Sequence, residues 1–224
     1  MILVFDLDDT LYEEIEFVKS GFRAVSDYLG KNHSINPKKA YAIMLGELEK
    51  NGRGKIFNTV LENFNIYSLK EVKKCLTIYR LHKPIISVSK TGERCLKRFK
   101  SIKKFIVTDG NKNVQYNKIK ALGLINSVDK YFITHRYGIK NAKPSTYCFD
   151  KISQLCKEKP GNIVYIADNA RKDFVNLKKK GYKTIRVKTG MFKDIFIDDA
   201  HEAHLIINSL DELTTELLNK LWKI

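Results

Sequence analysis

The chain is poor in the residues that staple, kink or anchor a protein: 4 Cys, 4 Pro, 3 Met and 1 Trp in 224 residues. Cys75, Cys95, Cys148 and Cys156 are scattered, with no C-x-x-C pair and no metal-type spacing. That excludes a zinc ribbon, a thioredoxin-type site and a disulfide framework, and predicts reduced, mostly buried thiols. No apolar run approaches the roughly 18 to 20 residues a bilayer span requires, so no membrane partner is expected. A secretory leader would need a basic start, a longer apolar stretch and a small-residue cleavage site. Instead MILVFDLDDT meets acid at Asp6, and the cytoplasm is the expected address. Acidic residues are also in deficit: 25 Asp and Glu against 41 Lys and Arg leave a formal charge of +16. The lysines are spread along the chain, with clusters only at 97–104 and 178–180, and neither interleaves aromatics as a nucleic-acid motif would. They read as a solvated surface whose field draws small phosphorylated anions, not as a nucleic-acid groove.

What is present is a change of texture along the chain. Residues 2–5 form an apolar strand that runs into an acidic cluster. From 13 to about 83 apolar residues recur at helical spacing: Phe17, Phe22, Val25 and Leu29, then Ala40, Ile43, Met44 and Leu48. Asn36-Pro37 is an N-cap followed by proline at the first helical position, and Asn51-Gly52-Arg53-Gly54 breaks the middle helices. After Pro84 strands at 104–107, 131–134, 162–167 and 184–187 alternate with helices, and a last apolar run at 204–207 precedes a helix over 211–222. This alternation predicts an α/β fold, a doubly wound parallel sheet. The expected division is an α/β core from 1–13 and 86–224, with an all-helical insert at 14–85.

Polar chemistry collects where such a sheet binds ligands, outside the carboxyl ends of its strands. The first strand ends in Asp6-Leu7-Asp8-Asp9-Thr10, the second in Thr108-Asp109-Gly110, and the strand before 168 in Asp168-Asn169 with Asp173 a turn later; a loop contributes Lys143. Bringing Asp6, Asp8, Asp168 and Asp173 together is costly unless a cation offsets their repulsion. Mg²⁺, a hard ion bound through a few carboxylates, suits that set, and Lys143 neutralises more of the charge. In D-x-D the two carboxylates project to one side of an extended segment. One can attack phosphorus while the other reaches the leaving oxygen. Thr108 and the backbone N–H groups of Asp109 and Gly110 can hold phosphate oxygens.

With these motifs assembled, the sequence resembles the haloacid dehalogenase (HAD) superfamily, in its phosphatase-like branch with a helical cap between the first and second motifs. FDLDDTLY corresponds to the first motif, FIVTDG to the second, the KP of NAKPSTYCF to the third and IADNARKD to the fourth. The resemblance implies a Rossmann-like core, Asp6 as nucleophile, Asp8 as general acid/base, Thr108 and Lys143 on the phosphate, and Mg²⁺ held by Asp6, the Asp8 carbonyl and Asp168 with Asp173 nearby. It also implies that Arg53, on the loop between middle cap helices, contacts the substrate. Two departures are small: Ala167 replaces the usual Gly before Asp168, and Asp109 stands where Asn is common.

The expected function is Mg²⁺-dependent hydrolysis of a small phosphate monoester, a sugar phosphate or nucleoside monophosphate, by a monomer or homodimer. A phosphomutase, phosphotransferase or phosphonatase of the same fold is the alternative, and a non-catalytic nucleic-acid-binding module a more distant one. Dehalogenation is disfavoured because it needs no acid at Asp8. Two decoys are set aside. Ser87–x–x–Lys90 with Lys188-Thr189-Gly190 lacks the S-D-N element of penicillin-interacting enzymes, and His201-Glu202-Ala203-His204 has the wrong spacing for a zinc-protease helix.

Overall fold

The computed structural model describes residues 1–222. The chain divides into two compact units, Met1–Glu14 with Ser87–Ile224, and Ile15–Ile86.

The first unit is built on strands that are nearly continuous apolar runs, as a sheet covered on both faces requires. They are β1 (Ile2–Phe5), β2 (Lys104–Thr108), β3 (Lys130–Ile133), β4 (Ile163–Ala167), β5 (Lys183–Val187) and β6 (Leu205–Ile207). All pair in parallel, in the order β3-β2-β1-β4-β5-β6. This is the doubly wound arrangement the alternating sequence predicts. One face of the sheet, through Val4, Val107, Tyr165 and Ala167, packs with Phe149, Ile152, Phe174 and Leu177 in a single apolar cluster.

The second unit is helical: α1 (Glu14–His33, whose first residue belongs to the other unit), α2 (Pro37–Asn51), α3 (Ile56–Asn63) and α4 (Leu69–Leu81). Asn36 caps α2, its side chain accepting from the N–H groups of Lys38 and Lys39 ahead of Pro37. The periodic apolar residues Val18, Phe22, Val25, Leu29, Ala40 and Met44 meet Val60, Leu61 and Cys75 in the core of this unit.

The remaining helices belong to the first unit: α5 (Lys90–Arg98), α6 (Lys112–Ala121), α7 (Tyr147–Cys156), α8 (Val175–Lys179) and α9 (Thr215–Leu221). The C-terminal element differs from expectation. In place of one helix over 211–222 there is a 3₁₀ turn, Leu210–Glu212, and then α9. The cause is local capping. Ser209 and Glu212 form a reciprocal capping box, and Thr214 restarts the helix by accepting from the Leu217 N–H.

Candidate active site

The strand order reverses between β1 and β4, where an open parallel sheet leaves a crevice at its carboxyl edge. Asp6 follows β1, Thr108 closes β2 and Asp168 follows β4. Three residues distant in sequence therefore emerge from neighbouring strands. Asp6, Asp168 and Asp173 are buried and each offers a carboxylate oxygen within 4.8 Å of the others. Lys143, 7% exposed, comes from the loop after β3. Its ammonium lies 2.9 Å from Asp6 and 2.8 Å from Asp173, and donates to the Tyr165 hydroxyl at 2.9 Å. Tyr165 in turn donates to Asp173 at 3.0 Å, and the Asn169 N–H reaches the other oxygen of Asp173. Thr10 donates to Asp168.

Of these three buried carboxylates, Asp6 and Asp173 share the Lys143 ammonium. Burial pushes Asp6 up to about 7 against the pull of Lys143. Burial, reinforced by the charges of Asp6 and Asp173, pushes Asp168 up to about 9. A hard divalent cation relieves both pressures. The donor set is all oxygen, with no thiolate or imidazole, and fits Mg²⁺.

The second carboxylate of D-x-D is in a different environment. Burial alone raises Asp8, but Lys118 and hydrogen bonds from Lys118, Tyr12 and Gln115 outweigh it and hold Asp8 below the usual carboxylate range. The Lys118 ammonium is 2.6 Å from Asp8 Oδ1, where the Tyr12 hydroxyl also donates. The Gln115 amide donates to Oδ2 at 3.0 Å.

The second motif is tied to the third. Asp109 accepts from the Thr134 hydroxyl at 2.7 Å, the Lys143 N–H at 3.1 Å and the Lys172 ammonium at 2.9 Å. Burial opposes ionisation of Asp109, yet Lys143 and Lys172 hold it below its ordinary value. Thr108 is buried and its hydroxyl donates to Gln115. A cavity of about 250 Å³ opens over these groups, lined by Asp6, Asp8, Thr108, Gly110, Asp168 and Phe192 among others.

The loop after β5 braces the first motif. Asp9 has a left-handed backbone, φ 53°, with its side chain accepting from the Glu14 N–H at 2.8 Å. The Thr189 hydroxyl donates to the Asp9 carbonyl. Gly190 has φ 63°, and a Cβ there would lie 2.3 Å from Asp9 Cγ. The Lys188-Thr189-Gly190 decoy is thus a packing contact against the D-x-D segment. Buried Arg186 on β5 supports the same region, donating to the Asp168 carbonyl at 3.2 Å, to Glu202 at 2.6 Å and to the Phe192 carbonyl at 2.6 Å. Gly190→Ala is expected to destabilise by about 1–3 kcal/mol beyond the roughly 1–2 kcal/mol of its left-handed backbone, and to impair turnover. Gly123→Ala is the control, with φ 68° and nothing within 4 Å of its Cβ. Equal melting temperatures for the two variants would contradict a contact role for Gly190.

The structure brings Asp6, Asp8, Thr108, Asp109, Gly110, Lys143, Asp168 and Asp173 into the first unit. Arg53 lies in the helical unit, where with Val18, Phe22, Phe57, Asn58 and Tyr79 it lines a cavity of about 250 Å³. Sequence reasoning missed Tyr12, Gln115, Lys118, Tyr165 and Lys172. Tyr12 and Lys172 sit within or beside the motifs and were open to suspicion; the other three lie on ordinary-looking strand and helix.

A haloacid dehalogenase-like hydrolase model matches residues 3–187. The chain belongs to this family. Among relatives of this HAD-like chain, a protein of Methanocaldococcus jannaschii named glyceraldehyde 3-phosphate phosphatase is 26% identical, over 97% of the chain and 96% of that protein. A Pyrococcus furiosus protein of the same name is 25% identical over 95% and 90% respectively. A Bacillus subtilis HAD-hydrolase structure bound to magnesium superposes with a TM-score of 0.63 at 16% identity, covering 98% of this chain and 97% of that one. No helix among the described residues is long and apolar enough to cross a membrane.

Proposed function

We propose that this HAD-like phosphatase hydrolyses a small phosphorylated metabolite in two steps through an aspartyl-phosphate on Asp6, with Mg²⁺ at the carboxylate cluster. The observation that carries the reading is the convergence of Asp6, Asp168 and Asp173 within 4.8 Å, with Lys143 on Asp6. Asp6, Asp168 and Asp173 would hold the ion, together with the Asp8 carbonyl that the family resemblance supplies. When bound, the ion neutralises charge on the carboxylates and the phosphoryl oxygens.

Asp6 attacks phosphorus; its oxygen forms the new P–O bond as the ester P–O bond breaks, and Asp8 gives a proton to the departing oxygen. Asp8 then takes a proton from water, which attacks the aspartyl-phosphate and releases inorganic phosphate and the Asp6 carboxylate. Thr108 and Lys143 hold phosphoryl oxygens where negative charge gathers. The donors around Asp8 favour its ionised form, which serves the second step. Its acid form is the scarcer one, so its placement matters most for esters that cannot leave without a proton.

The helical stretch 14–85 is the cap in this reading. It excludes water during the reaction, with Arg53 contributing a cationic contact to the substrate. The names of the relatives make glyceraldehyde 3-phosphate the first substrate to test, beside other sugar phosphates and nucleoside monophosphates. The cytoplasm remains the proposed location. Phosphate release is expected to require Mg²⁺ and to stop with chelator; transfer to an added acceptor without free phosphate would favour a mutase or phosphotransferase.

Metal should also register in stability. Relieving the repulsion among Asp6, Asp168 and Asp173, Mg²⁺ is expected to raise the melting temperature. Asp168→Asn removes one carboxylate from the cluster, so it raises the metal-free melting temperature by about 2–4 °C per kcal/mol relieved and abolishes most of the Mg²⁺ increment. An unchanged increment in Asp168→Asn, read by calorimetry, would place the ion elsewhere.

A further inference from the structure

Two of the polar side chains buried in the first unit lie one turn apart on α6: Gln115, 5% exposed, and Lys118, 2% exposed. Residues at i and i+3 share a helix face, and a buried ammonium and amide there need a reason. Both donate to Asp8. An ionised carboxylate has about four lone-pair sites. Here Oδ1 accepts from Tyr12 and Lys118, and Oδ2 accepts from Gln115. Among the described residues these donors leave one of the sites so reckoned, and Asp8 lines the cavity that also exposes Asp6 and Asp168.

Gln115 does more than donate. Its amide oxygen accepts from Thr108 at 3.3 Å while its nitrogen donates to Asp8, so one planar group sets the register between the first and second motifs. The glycine of Thr108-Asp109-Gly110 makes room for it. Gly110 has φ 133°, and a Cβ there would sit 2.8 Å from Gln115 Nε2. Lys118 also lies 3.7 Å from Glu14, just past the first motif.

We propose that Gln115 and Lys118 are positioning residues for proton transfer: together they hold the Asp8 carboxylate toward the leaving-group oxygen, and in the free site Gln115 also ties Asp8 to Thr108, whose one hydroxyl proton turns to the phosphate once substrate binds. This rests on the reading of Asp8 as the acid/base and adds residues that no motif contains. Misplacing a general acid penalises poor leaving groups, which depart only with a proton, and spares good ones.

The test compares kcat/KM for an alkyl phosphate and for 4-nitrophenyl phosphate in saturating Mg²⁺, using the full chain with Gln115→Met, Lys118→Met and Asp8→Asn. Asp8→Asn sets the scale: a general acid is worth about 10²–10⁴-fold, on the alkyl ester. Gln115→Met and Lys118→Met are expected to lower alkyl phosphate turnover by at least ~10-fold and 4-nitrophenyl phosphate turnover by less than ~3-fold. If Lys118→Met fails to fold for loss of its ion pair with Asp8, Gln115→Met, which removes a neutral group, carries the test alone. If Asp8→Asn shows the split but Gln115→Met lowers both esters equally or neither, the positioning role is wrong and Asp8 stands. If Asp8→Asn itself lowers both equally, the acid/base reading falls and takes this inference with it.

Discussion

Asp6→Asn stops phosphate release, by at least ~10³-fold, in a chain that still folds. The expectation follows from what Asn removes and what it keeps. Its amide fills the same space but cannot displace an ester oxygen, and enzymes that lose a covalent nucleophile fall by several orders of magnitude. The fold should tolerate the change. Asp6 is one of two carboxylates paired with Lys143, and Lys143 keeps Asp173 at 2.8 Å, so a lost ion pair is set against relieved repulsion within the Asp6, Asp168 and Asp173 cluster. Metal-free melting temperatures within a few degrees of the parent, with activity gone, are the expected pair of results. Turnover within ~10-fold of the parent would mean that Asp6 does not form the bond to phosphorus.

Lys143→Met has the largest expected effect on stability. The Lys143 side chain is 2% exposed and Asp173 0%, so the variant leaves Asp6 and Asp173 as buried charges without their shared cation. Breaking a buried pair in this way costs about 3–5 kcal/mol, and a chain of this size loses about 2–4 °C per kcal/mol, giving a fall on the order of 10 °C. The pH dependence has a definite sign. Asp6 is already raised to about 7, chiefly by burial, with Lys143 pulling it down. Without Lys143 it rises further, and a carboxyl whose folded pKa exceeds its unfolded one destabilises increasingly as pH rises between the two. Melts in chelator should therefore show a larger loss at pH 8 than at pH 5. A loss equal at both, or larger at pH 5, would mean that Lys143 acts through packing alone.

Much of this was legible in the residues. Apolar strands that end in acid, alternating with helices, define a parallel sheet, and its switch point dictates where Asp6, Thr108 and Asp168 meet. Those signals are strong because each combines a local pattern with a chemical group at a fixed place in it. Gln115 and Lys118 were invisible for the opposite reason. They sit in the helix KNVQYNKIKA, whose lysines look like a solvated face, and only the buried side of α6 tells Lys118 from Lys120. Tyr165 was hidden likewise inside β4, where an aromatic reads as core; its hydroxyl matters because the pleat aims it at Lys143 and Asp173. The split of the C-terminal helix depended on Thr214 competing as a cap, a choice between two plausible starts that apolar periodicity does not settle.

The central claim is that phosphate passes through Asp6, and trapping it there is the most direct measurement. Enzyme mixed with a turning-over phosphate ester and Mg²⁺ is quenched in acid, digested and mapped by mass spectrometry. The account predicts a phosphoryl group on the peptide carrying Asp6, lost in chelator and absent from Asp6→Asn. A phosphoryl group on another residue, or steady turnover by Asp6→Asn without any adduct, would contradict it.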